Sequence, residues 1–115
     1  MRRGDICLID LDPVRGSEAN KRRPAVVVSN DRANRAAERT GRGVLTIVPL
    51  SSNITQVFPF QTLLPAEVVG LRVDSKAQAE QVRSVSAERL GPVVATVPAF
   101  LMLELDDALR LHLQL

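Results

Sequence analysis

Six short runs rich in β-favouring residues, each closed by turn formers, divide the chain. They are ICLIDLD (Ile6–Asp12), PAVVVSN (Pro24–Asn30), GVLTIVPL (Gly43–Leu50), FPFQTLL (Phe58–Leu64), KAQAEQVRSV (Lys76–Val85) and PVVATV (Pro92–Val97). Val, Ile and Leu dominate the runs, while the breaks hold Gly, Pro, Asn, Asp and Ser. Five or six short strands spaced this closely predict a small barrel or compact curled sheet. Two helices interrupt the pattern. Asn30 or Asp31 can cap DRANRAAER, whose alanines favour helix and whose arginines face water. The segment Pro98–Leu113 starts on a proline suited to a first helical turn, and Leu101, Leu105, Ala108 and Leu109 form an apolar stripe along it. SAERL (Ser86–Leu90) reads as a single helical turn stopped by Gly91-Pro92. The expected class is therefore mainly β (α+β), in a single domain spanning 1–115.

At 115 residues the chain can bury one core and not two. No apolar run approaches the roughly 20 residues a bilayer demands, and the opening MRRGDICLIDLD lacks a signal-type apolar region. Cys7 is the only cysteine, which excludes an internal disulfide and Cys-rich zinc sites. The expectation is a cytoplasmic protein with no membrane contact. Its formal charge of +2 is unevenly spread: residues 1–43 hold ten Lys/Arg against six Asp/Glu, and residues 44–115 hold five against seven. A basic half fits an anionic partner such as nucleic acid, and fits equally a solvated arginine-rich surface.

Several chemistries are absent. His112, the only histidine, lies among leucines in the last helix, so no His pair or His–Cys cluster exists for acid–base or transition-metal work. Neither a GxxxxGK[ST] phosphate loop nor a GxGxxG is present. No cofactor or metal is expected, and any catalysis falls to Arg, Lys, Ser, Thr or carboxylates. Three polar clusters hold such groups. The first is GSEANKRRP (Gly16–Pro24), where Pro24 biases Arg23 toward an extended backbone at the root of the loop. A guanidinium held there can present a fixed fork to a phosphate, or can brace the loop against Glu18 or Asp31. The second is Ser51, Ser52, Asn53 and Thr55 after the third run, able to bind phosphate or ribose or simply to turn the chain. The third is DSKAQAEQVRS, whose alternation sets Lys76, Gln78 and Glu80 on one face and Ala77, Ala79 and Gln81 on the other.

Taken together, RGDICLIDLDP…GSEANKRRPAVVVSND, TIVPLSSN…FPFQ and DSKAQAEQVRSV strongly resemble the MazF/PemK/Kid family of toxin–antitoxin endoribonucleases, over nearly the whole chain. The resemblance implies an SH3-like barrel with a C-terminal helix, a homodimer, and metal-independent cleavage of single-stranded RNA at short sequences. It also implies an antitoxin whose C-terminal peptide occupies the RNA groove. The family's essential arginine, which precedes the proline of the RP strand, maps to Arg23. Its essential hydroxyl maps to Ser51, where most relatives carry threonine. The acid that acts in the Kid branch matches Glu80.

On that reading Arg23 works electrostatically, and Glu18, Glu80 or water moves the proton, because a group with a pKa above about 12 is a poor base. RNA contacts fall to Asn20, Lys21, Arg22, Ser52, Asn53, Gln78, Gln81 and Arg83. Phe58, Phe60 and Phe100 are the only aromatics, and FPF is expected in the core rather than as a stacking platform. The rival readings are a gyrase-binding toxin of the CcdB type and a basic nucleic-acid-binding module without chemistry.

Overall fold

The computed structural model describes residues 1–10 and 22–115. Within them, seven strands form one curled antiparallel sheet: β1 (Asp5–Asp10), β2 (Arg22–Val27), β3 (Val44–Ser51), β4 (Gln61–Leu64), β5 (Ser75–Gln78), β6 (Arg83–Ser86) and β7 (Leu90–Thr96). Their order across the sheet is β4-β5-β3-β2-β1-β7, with β6 also on β3. The helices are α1 (Asp31–Thr40), α2 (Ala66–Val69) and α3 (Ala99–Leu113). The mainly β reading with a terminal helix holds, with seven strands in place of five or six.

Alternation along the central strands feeds two cores. Ile6, Val26, Val48 and Leu50 face α3 and meet Leu101, Met102, Leu105 and Ala108. Cys7, Ile9, Ala25, Val27, Leu45 and Ile47 face the other way, toward Ala37 of α1 and Val85 of β6. The α3 stripe read from the sequence is the buried one; Pro98 caps the helix rather than opening its first turn. Asn30 is the cap of α1, its side chain accepting from the Ala33 N–H at 2.8 Å.

The RGD opening ties the elements together. The Arg3 N–H donates to Asp31 Oδ1, its Nε to the Val28 carbonyl at 2.8 Å, and its Nη2 to Asp106 on α3. Buried Asp5 accepts from the Arg2 N–H at 2.8 Å and from the Thr96 hydroxyl at 3.0 Å.

Three expectations need correction. The run Lys76–Val85 is not one strand: β5 and β6 each pair with β3, and Ala79–Gln81 loop out between them as a 3₁₀ turn. Ala79 is buried in the same core as Ala77, as the alternation has it, but Gln81, assigned to that same face, is exposed. The FPF segment is neither strand nor core; β4 starts only at Gln61, and Phe58 is 39% exposed. The helical turn read at Ser86–Leu90 is present as a 3₁₀ turn over Ala87–Arg89, but it ends ahead of Gly91-Pro92, which lies within β7 rather than forming the stop. The short helix α2, which follows Pro65, has no counterpart in the sequence reading.

Candidate active site

The strands β2 and β3 pair from Val27 opposite Ile47 up to Ala25 opposite Pro49. Beyond that point Pro24 has no N–H with which to continue the ladder. Continued, the same register sets Arg23 across from Ser51. A cleft of about 510 Å³ opens there, lined by Arg23, Pro24, Leu50, Ser51, Ser52, Val73, Ser75 and Gln78. Arg23 and Ser51, both singled out in the sequence, thus line one cavity.

Arg23 is an exposed strand residue rather than a loop residue, opposite Ile9 on β1. Among the described residues no carboxylate forms an ion pair with it; Asp31 is engaged by the Arg3 backbone instead. The brace to Asp31 is therefore not made. Arg22, next along the strand, alternates to the opposite face: it pairs with Asp10 in register and sends its guanidinium toward Gly91.

Ser51 Oγ accepts a hydrogen bond from the Asn53 N–H at 3.1 Å, and Asn53 Oδ1 in turn accepts from the Thr55 N–H at 3.3 Å. This local turn orients the hydroxyl without the methyl that a threonine would use. The oxygen is occupied as an acceptor, so its proton is free to donate outward.

On β5, Lys76 and Gln78 share a face and Ala77 lies in the core, as alternation predicts. Gln78 lines the cleft, whereas Lys76, 8% exposed, donates from Nζ to the Gln56 carbonyl at 2.8 Å. Glu80 is a correction: it sits on the 3₁₀ turn, takes a 2.7 Å hydrogen bond from Gln61 Nε2, and does not line the cleft. Gln81 and Arg83 are exposed and outside the lining as well. Glu18, Asn20 and Lys21 lie outside the described residues. Sequence reasoning missed Ser75 and Val73; only their position ahead of Gln78 on the same strand approach could have suggested them. Among the described residues, no three His, Cys, Asp or Glu side chains group closely enough to hold a metal ion, and no helix is long and apolar enough to cross a membrane.

What the arrangement can do is hold a phosphodiester between a cation and a hydroxyl donor, with amide and hydroxyl groups beside it. Comparison with known proteins gives a consistent picture. Residues 2–113 match the family described as PemK-like, MazF-like toxin of type II toxin-antitoxin system. The chain is 62% identical over its whole length to endoribonuclease MazF9 of Mycobacterium tuberculosis, covering 98% of that protein. Its fold resembles that of MazF from Deinococcus radiodurans, with a TM-score of 0.74, 26% identity, and coverage of 100% of this chain and 97% of the other. It also resembles a mycobacterial endoribonuclease solved in complex with its cognate antitoxin, with a TM-score of 0.75, 21% identity, and coverage of 100% and 96%.

Proposed function

Because the chain belongs to the PemK/MazF family of type II toxin–antitoxin endoribonucleases, we propose that it cuts single-stranded RNA at a short specific sequence, without a metal ion, by attack of the RNA's own 2′-hydroxyl. The observation that carries this reading is the convergence of Arg23 and Ser51 on one cleft. RNA supplies the nucleophile, so the protein need only align the 2′-oxygen with the phosphorus and the leaving oxygen. The 2′-oxygen bonds to phosphorus as the bond to the 5′-oxygen breaks, giving a 2′,3′-cyclic phosphate and a 5′-hydroxyl. The 2′-proton passes to Glu18 or to water, and water protonates the leaving oxygen. Negative charge grows on the non-bridging oxygens, where the Arg23 fork and the Ser51 proton stabilise it more than the ground state. Glu80, turned toward Gln61, supports the turn rather than moving the proton.

Ser52, Asn53 and Gln78 contact the RNA near the cut, with Asn20, Lys21, Gln81 and Arg83 along its flanks; Arg22, turned to the opposite face, drops out of this set. The protein acts as a cytoplasmic homodimer, and the C-terminal peptide of its antitoxin occupies the same groove, competing with RNA.

Incubation of the purified protein with a long mixed-sequence RNA in EDTA tests the core of this reading. Discrete fragments ending in 2′,3′-cyclic phosphate are expected, and mapping their ends gives the recognised sequence. Intact RNA that is merely retarded in a gel would replace the nuclease by a binding module.

A further inference from the structure

The loop between β3 and β4 carries a surface for which the cleavage chemistry has no use. Phe58 and Phe60 stack with ring centroids 5.2 Å apart and planes 6° from parallel, and Phe58 stays 39% exposed. The backbone beneath them is held from several sides. The Phe58 N–H donates to Gln61 Oε1 at 3.1 Å, Gln61 Nε2 donates to Glu80 Oε1 at 2.7 Å, and the Gln61 N–H donates to the Phe58 carbonyl at 2.8 Å. Two residues earlier, the Lys76 ammonium is the donor that anchors the Gln56 carbonyl. Burying a cation is unfavourable unless it is well solvated by the protein, so placing one beneath this loop marks its shape as important.

The stack leads directly into β4, which is tied to the cleft through β5. Gln61 pairs with Gln78 across β4 and β5, and Gln78 lines the cleft together with Arg23 and Ser51. Neighbouring strands lie about 4.8 Å apart, so β4 is on the order of 10–15 Å from the gap between β2 and β3. That is within a nucleotide or two of a phosphate held at the gap.

We propose that the Phe58–Phe60 pair is a stacking platform for a nucleobase flanking the scissile phosphate, a reading that rests on the nuclease function above. A preorganised aromatic surface binds any base through its π-face, adding affinity and alignment with little base preference. Base identity is then read by the polar groups of the cleft, and the platform fixes where the strand lies.

The test uses a short RNA with a single cut, each nucleotide around the cut being replaced in turn by an abasic one. The parent protein should lose roughly 5- to 100-fold in kcat/KM at one abasic position. Phe58→Leu, which keeps apolar bulk and loses the aromatic face, should show the same loss on intact RNA and no further loss at that position. Phe58→Tyr should stay near the parent. The chain has no tryptophan, so Phe58→Trp adds a single fluorophore. An uncleavable 2′-deoxy substrate should quench it, and its abasic counterpart should not. Losses that multiply at every position, or a Phe58→Leu protein that cuts intact RNA like the parent, would overturn the platform. Weakened antitoxin binding with unchanged cleavage would reassign the patch to a protein contact and overturn it too. A parent that cuts no RNA overturns the nuclease reading and the platform with it.

Discussion

In the proposed mechanism Arg23 and Ser51 meet two separate demands at one phosphate, fixed charge and a directed proton, and substitutions can separate them. Arg23→Lys keeps the charge and loses the planar fork, so kcat for a fluorogenic RNA should fall by about tenfold or more with the protein still folded. Full activity would assign the residue to bulk electrostatics. Ser51→Ala should cost on the order of 10²–10³ in kcat, the usual loss for one transition-state donor. Ser51→Thr should stay near the parent, since the Asn53 N–H already orients the hydroxyl. The arginine and the serine were singled out through the family likeness, since the local signals left each equally open to a purely structural role. The place of Glu80 was not legible, because it depends on a turn that alternation cannot foresee. Cys7 belongs to another class. Burial, helped by the neighbouring Asp5 carboxylate, pushes its thiol up to about 11 from 9.0. The unfolded chain therefore loses this proton first on raising the pH. The stabilisation is complete below about pH 9 and disappears as pH climbs through 11. Cys7→Ala should flatten that alkaline limb in a series of denaturant midpoints.

At the scale of elements, β3 organises the molecule. It pairs with β2 on one side and with both β5 and β6 on the other. The helices α1 and α3 were the most legible elements, because the Asn30 cap and the α3 stripe are strong local signals. The strand ends were less so. A run such as AEQ carries no sign that it will be extruded from a ladder, and FPF looks apolar enough for a core yet lies outside both clusters. Gly91 supplies a prediction here. A Cβ at this position would stand 2.6 Å from the Leu8 carbonyl oxygen, a backbone atom that cannot swing away. Gly91→Ala should force β7 off β1 and destabilise the fold by roughly 1–3 kcal/mol, read as a lowered denaturant midpoint.

Across the whole molecule, the excess of Lys and Arg in residues 1–43 gives the nuclease reading a salt signature. If the RNA is held through its phosphates, log kcat/KM should fall linearly with log salt, by about 0.7 per phosphate contact for a single strand. Arg23→Lys should lower the line without changing its slope, because the charge is retained; a flat line for the parent would mean that contacts to bases alone hold the substrate. The convergence on one cleft was the part of the site that sequence could only anticipate through family likeness, since nothing local to Arg23 or Ser51 announces the other. Their meeting follows from the pairing of β2 with β3, a long-range fact of topology.

Pro24, one residue past the last pair of β2 with β3, has no N–H to offer, so from that side nothing zips the strands shut and the cleft stands open before any ligand arrives. On the nuclease reading, an opening already formed at rest leaves restraint to a competitor seated in it, and activity should then return at the speed with which that competitor dissociates.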